Sequence, residues 1–255
     1  MKGRYLETLT WPEAERALQS APLVLLPLGV RTKQHGPHLP LNVDWVLAEY
    51  LAGRVAERVD CLILPTLQYA YEPAFVEYPG SVSVRWDACR DTIVDICSSL
   101  ARHGARRFYV LNTGISTLRP LQAAQDILVA RGHKMDFTDV TTAYAALRRQ
   151  VETQPAGTHA DEVETSMMLY VAPELVRSEL AERDIHAPGG GELTRRPDAL
   201  AGVFSPSGAH GDPTLATVEK GKILIEGMVH YLVDFLEAFV REEAPRQAPL
   251  TMPCT

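Results

Sequence analysis

Lys33, His35, His38 and Asp44 share one short segment, Lys33-Gln34-His35-Gly36-Pro37-His38-Leu39-Pro40-Leu41-Asn42-Val43-Asp44. It follows an apolar run, Leu23–Leu28, that reads as a buried strand, and it leads into a helical pattern. Loops at strand ends are where α/β proteins usually place their chemistry. Imidazole plus carboxylate on a loop stiffened by Pro37 and Pro40 is a ligand set for a zinc- or manganese-type hydrolase. The bland reading is a histidine-rich turn stapled by those prolines. Lys33 complicates the metal reading, because a divalent ion repels an ammonium group beside it.

Three further clusters fall at element junctions. Tyr71-Glu72-Pro73-Ala74 through Tyr78-Pro79-Gly80-Ser81 is either a turn or a substrate-binding loop, with Tyr71 and Glu72 as its candidate contacts. Asn112-Thr113-Gly114-Ile115-Ser116-Thr117 follows an apolar run and opens a helix. Backbone N–H groups there can hold an anion or a carbonyl oxygen, which makes Asn112, Gly114 and Ser116 candidate substrate contacts, although any tight turn looks similar. Ser116 has no sequence signature of an activated nucleophile. In His159-Ala160-Asp161-Glu162-Val163-Glu164 an acidic first helical turn suits the helix dipole without any catalysis. That accounts for Asp161 and Glu162. Glu164, framed by Val163, Met167 and Met168, needs a partner, and a metal would serve. Arg31 and Trp86 are plausible pocket neighbours.

The elements that must position these groups alternate. Strands are expected at Leu23–Leu28, Cys61–Leu64, Phe108–Leu111 and Lys134–Val140. Helices are expected at Val43–Arg58, Trp86–His103 (closed by Gly104), Leu118–Arg131 (ending at Gly132), Thr142–Glu152, from near His159, and at Thr214–Glu243. Ala187–Val203 looks irregular around the flexible loop Pro188-Gly189-Gly190-Gly191, and 245–255 reads as a frayed tail after one domain over 1–244. This order predicts an α/β fold, a mostly parallel sheet between helices.

At 255 residues and 46% hydrophobic content, the chain can bury a full core. A formal charge of −7 argues against nucleic-acid binding. No apolar run approaches a membrane span, and the N-terminus lacks a signal peptide's apolar region. Cys89 and Cys97 read as buried thiols. No Gly-x-Gly-x-x-Gly or Gly-Lys-Ser/Thr loop is present, which disfavours nucleotide enzymes. A cytoplasmic protein acting on a small molecule is the expectation.

Taken together, Gln34-His35-Gly36-Pro37-His38-Leu39-Pro40-Leu41 and His159-Ala160-x-Glu162-Val163-Glu164-Thr165-Ser166 make the chain resemble the creatininase family, from Leu9-Thr10-Trp11-Pro12-Glu13 to Gly211-Asp212-Pro213-Thr214. The resemblance implies a three-layer α/β/α sandwich, hydrolysis of C–N bonds in cyclic amides and formamides, two divalent metals, and a homo-oligomer such as a hexamer. It also implies ligand roles for His35, Asp44 and Glu164. The family's first glutamate ligand is here Lys33, and its histidine after the Asn112 strand end is Gly114. A glutamate found there in some members is Ser116, and a Glu-His pair is Ala74-Phe75.

Lys33 and Gly114 remove ligands from the same metal, leaving His35, Asp44 and Glu164 for at most one zinc or manganese ion, with His159 and His38 available for proton transfer. The expected function is therefore a divergent one-metal hydrolase of a small polar cyclic or amide-like substrate. Two alternatives are a metal-free enzyme using Lys33 for ring opening, isomerisation or C–C cleavage, and a non-catalytic subunit. If the swaps are simple losses, Lys33→Glu with Gly114→His restores metal.

Overall fold

A computed structural model describes residues 2–186 and 192–241. In chain order, β1 (Arg4–Tyr5) and α1 (Trp11–Ser20) precede β2 (Val24–Leu28) and α2 (Val43–Ala56). Next come β3 (Leu62–Ile63), α3 (Trp86–Ala101), β4 (Arg107–Asn112), α4 (Leu118–Ala130) and β5 (Lys134–Phe137). The chain continues through α5 (Ala145–Val151), α6 (Glu162–Val171), a short pair β6 (Leu193–Thr194) and β7 (Val203–Phe204), and α7 (Val218–Arg241). The main sheet runs β1-β3-β2-β4-β5, and every pairing in it is parallel.

Alternation along the central strands explains the three layers. Leu23, Leu25, Tyr109 and Leu111 face a core built with α2, α6 and α7, through Leu47, Leu51, Met168, Val229 and Leu232. Val24, Leu26, Leu28, Phe108 and Val110 face the opposite core, with Ala17 and Leu18 of α1, Ile93 of α3 and Leu121 of α4. Both faces are covered, so β2 is apolar throughout and buried at every position. Each such leucine stabilises the fold by about 1.5–3 kcal/mol on burial. The helix after β2 covers one face and the helix after β4 covers the other. The crevice beyond the ends of β2 and β4 is thus a topological switch point, where open α/β sheets bind ligands.

Several boundaries differ from the sequence expectations. The strand expected to reach Val140 stops at Phe137, and that expected at Cys61–Leu64 pairs only through Leu62–Ile63. The helix expected from His159 starts at Glu162, because Asp161 caps it, accepting from the Val163 and Glu164 N–H groups at 2.9 and 3.0 Å. The last helix starts at Val218 rather than Thr214, after a 3-10 turn at Pro213–Leu215. The irregular stretch contains β6 and β7. The glycine loop and the tail, 245–255, lie outside the described residues. β1 and α1 were not foreseen: β1 is two residues long, and α1 begins with Trp11, which is largely exposed.

Close contact between α6 and α7 fixes the helix that carries Glu164. A Cβ on Gly221 would lie 1.9 Å from the Ser166 carbonyl oxygen. Gly221→Ala must push the helices apart, a cost at the upper end of about 1–3 kcal/mol, which lowers the melting temperature by roughly 6–12 °C. An unchanged melting temperature would show that the helices do not approach this closely.

Candidate active site

The switch-point crevice is built by close backbone approach. Gly29, just after β2, lies against the first turn of α2: a Cβ there would meet the Asp44 carbonyl oxygen at 2.3 Å. Thr113, just after β4, donates from Oγ1 to that same carbonyl at 3.0 Å and to the Leu28 carbonyl at 3.2 Å. The 33–41 loop is tied back on itself by the Lys33 N–H donating to the Leu41 carbonyl, and to a neighbouring loop by the Gln34 N–H donating to Ser81 Oγ. These contacts deliver Lys33, His35 and Asp44 to one buried point.

A backbone carbonyl, which can only accept, lies against one nitrogen of each imidazole; at His159 this contact is shorter than the 3.2 Å between the same Nε2 and the Gln34 side-chain nitrogen. His35 Nδ1–H donates to the Lys33 carbonyl at 2.9 Å, which turns Nε2 toward Asp44 Oδ1 (3.3 Å) and Glu164 Oε1 (3.6 Å). His159 Nε2–H donates to the Gln34 carbonyl at 2.8 Å, leaving Nδ1 3.7 Å from Glu164 Oε2. One donor atom from each of His35, His159 and Glu164 lies within 4.8 Å of the others. Burial, with His35 and Lys33 close by, holds His159 well below the usual imidazole range, so it is a neutral ligand-competent ring. Orientation of both rings by backbone carbonyls is the outer-shell arrangement of metal-binding histidines.

The rest of the first helical turn is committed to structure. Asp161 also accepts from Arg148 and Gln154 at 2.6 and 2.8 Å. Glu162 accepts from Thr153 and Gln154 and pairs with Lys220. Ala160 holds φ +48°, a left-handed conformation that costs a non-glycine residue roughly 1–3 kcal/mol. In that conformation its N–H donates to Glu164 Oε2 at 2.6 Å.

Lys33 ends 2.6 Å from Asp44 Oδ2 and 4.0 Å from Glu72 Oε2, and all three residues are buried. Burial alone would lower the lysine's pKa. Asp44, Glu72 and Glu164 outweigh it and raise Lys33 above the ordinary lysine value. Asp44 shows the counterpart: burial works against its charge, yet Lys33 and His35 hold its carboxyl below the usual range. Burial pushes Glu164 up, and pushes Glu72 up to about 7 against the pull of Lys33. Neither Glu72 oxygen has a hydrogen-bond partner of normal geometry among the described residues. Three carboxyl groups thus face one ammonium: Lys33 holds Asp44 charged, while burial favours the neutral forms of Glu72 and Glu164.

Glu72 occupies the space that Gly114 opens: a Cβ on Gly114 would sit 2.7 Å from Glu72 Oε1. A histidine at 114 therefore requires the Glu72 carboxyl to move aside, so Lys33→Glu with Gly114→His restores a ligand there only if Glu72 shifts. Ser116 faces Glu72 and opposes its rise. Asn112 spends its side chain on the turn, donating to the Gly114 and Thr138 carbonyls and accepting from Thr117 Oγ1 and the Gly114 N–H. His38 bonds Thr165 Oγ1 through Nε2 at 2.8 Å, and burial pushes it down to about 4. Tyr71 packs against the core on the α3 side. Arg31 lies over Trp45, and Arg90 over Trp86.

One contributor was missed in the sequence. Phe75 stacks on His159 with ring centroids 4.3 Å apart and takes the Lys33 ammonium 5.1 Å from its own centroid. Its only sequence signal was that Ala74-Phe75 replaces a polar pair.

The chain is similar to known proteins over most of its length. A family model described as creatinine amidohydrolase matches residues 7–236. The chain is 32% identical to a creatinine amidohydrolase from Pseudomonas putida, over 96% of this chain and 98% of that one. It is 29% identical to a 3-dehydro-scyllo-inosose hydrolase from Thermotoga maritima, over 94% of this chain and 83% of the relative. A solved manganese creatininase superposes with a TM-score of 0.81 at 26% identity, covering 94% of this chain and all of that one.

In chelator-treated protein, Lys33→Met leaves Asp44 buried and unpaired. Urea unfolding should show a loss of about 3–5 kcal/mol, most of it recovered in Lys33→Met/Asp44→Asn. Additive losses in the double variant would mean the two side chains are not coupled.

Proposed function

Because this chain belongs to the creatininase family of hydrolases, we propose that it cleaves a C–N bond of an amide-like substrate with one divalent metal ion, zinc or manganese. The Lys33 ammonium takes the place of a second ion. The observation that carries this reading is the convergence, within 4.8 Å, of a Glu164 oxygen with two imidazole nitrogens, each ring's other nitrogen being engaged by a backbone carbonyl. One divalent ion beside Glu164, with Lys33 on Asp44, would balance all three carboxyls in their ionised forms. Buried charge without such balance is costly.

His35 Nε2, His159 Nδ1 and a Glu164 oxygen would hold the ion, two histidines and a glutamate with room for water. A bound ion supplies Lewis acidity toward the amide carbonyl and a lowered pKa for water. The sequence expectation made Asp44 the third ligand and His159 a proton carrier. The donor positions favour exchanging those roles, because Asp44 gives one oxygen to Lys33 while His159 Nδ1 stands beside Glu164. His38 then acts through Thr165, fixing the turn of α6 next to Glu164. Phe75 shields His159 and the lysine from water.

Schiff-base or base catalysis by Lys33 is disfavoured by geometry: an uncharged amine would leave Asp44 buried without its partner. A single domain over 1–244, a cytoplasmic location and assembly as a homo-oligomer such as a hexamer belong to the proposal too, supported by the family resemblance. Among the described residues, no helix is long and apolar enough to cross a membrane.

Elemental analysis of protein purified without chelators should give one zinc or manganese per chain. His35→Ala, His159→Ala and Glu164→Gln should each weaken metal binding by more than about 100-fold, exceeding the 10–100-fold typical of outer-shell changes, and abolish amide hydrolysis. Full metal content in His159→Ala with hydrolysis lost would return that residue to proton transfer. Absence of metal in the wild-type protein would overturn the proposal.

A further inference from the structure

Glu164 is the most exposed member of the cluster. His35, Asp44, Lys33 and His159 side chains are at most 8% exposed, whereas Glu164 is 17% exposed. Glu164 also lines a cavity of about 380 Å³ over the switch point, between the loops after β4 and β5 and the helices α5, α6 and α7. The deeper walls are apolar: Leu47, Val140, Tyr144, Met167, Leu224 and Met228. Glu164 is thus shared by the candidate metal centre and an oily chamber large enough for a small-molecule ligand.

We infer that the substrate carries an apolar aryl or branched alkyl group, which fills this chamber while its amide meets the cluster at Glu164. This replaces the small polar substrate expected from sequence, and it rests on the hydrolase reading for the amide end only. A single benzene ring fits a cavity of about 150 Å³. The chamber is more than twice that size, so a fused bicyclic group suits it better than one ring, and a short polar amide would leave its walls against water. Burying such a group favours binding over a bare amide on the order of 100-fold. Arg148 and Arg149 both line the chamber; Arg148 is tied to Glu152 and Asp161, and Arg149 is exposed.

The probes are acetamide, benzamide and 2-naphthamide, titrated calorimetrically into metal-loaded and chelator-treated protein. Affinity should rise along the series, with 2-naphthamide about 100-fold tighter than acetamide. Ala145→Trp narrows the chamber, and Ile115→Asp charges its exposed lip, where a polar residue leaves folding intact. Each should weaken 2-naphthamide at least tenfold and leave acetamide unchanged. Equal affinity for the three amides, or 2-naphthamide binding indifferent to both variants, overturns the inference. So does failure of any amide to bind because a second copy of the chain fills the chamber. Variant-sensitive 2-naphthamide binding in protein that takes up no metal supports the chamber while removing the hydrolase reading.

Discussion

A lysine ammonium 2.6 Å from an aspartate carboxylate, both nearly sealed from solvent, is the contact on which the site turns. Removing either charge from water is costly, and the pair persists only because each compensates the other. With Asp44 engaged on one oxygen, Glu72 and Glu164 stand close by, and burial pushes both carboxyls toward the neutral form. Lys33 thus sets the electrostatics of the cluster through its contact with Asp44.

The scaffold explains why such a cluster can exist. Three glycines let backbones or side chains approach where a Cβ would collide: Gly29 against Asp44, Gly221 against Ser166 and Gly114 against Glu72. The first sets α2 against the end of β2, at the crevice where a doubly wound sheet exposes loops from both faces, and the second seats α6 on α7. The third opens the seat for Glu72. Lys33, Glu72 and Gly114 therefore form one interdependent set, and undoing the lysine alone leaves a carboxylate where a ligand would have to enter.

Much of this was legible in the chain. The apolar alternation of β2 and β4 and the caps around the helices carry the layered fold, and the motifs around His35 and Glu164 located the cluster. What was not legible is contact across long sequence separations. Nothing local to Glu72 says that it fills the space above Gly114, and nothing local to Phe75 says that it lies on His159. The chamber walls come from α2, α5, α6 and α7, whose apolar residues look the same in sequence whether they face a core or a ligand. The proposed exchange of roles between Asp44 and His159 rests on which ring nitrogen a carbonyl occupies, which no motif records.

The proposed centre would combine the buried Lys33 cation with one bound divalent ion, beside a largely apolar chamber that Glu164 also lines. Relatives named as creatinine amidohydrolase and inosose hydrolase show that the fold admits different reactions. The most direct test is crystallographic: anomalous scattering from crystals grown with manganese or zinc. The account predicts one peak per chain, within bonding distance of His35 Nε2, His159 Nδ1 and Glu164, with Lys33 still on Asp44. Two peaks, or one peak between Asp44 and Glu72 with the lysine displaced, would contradict it.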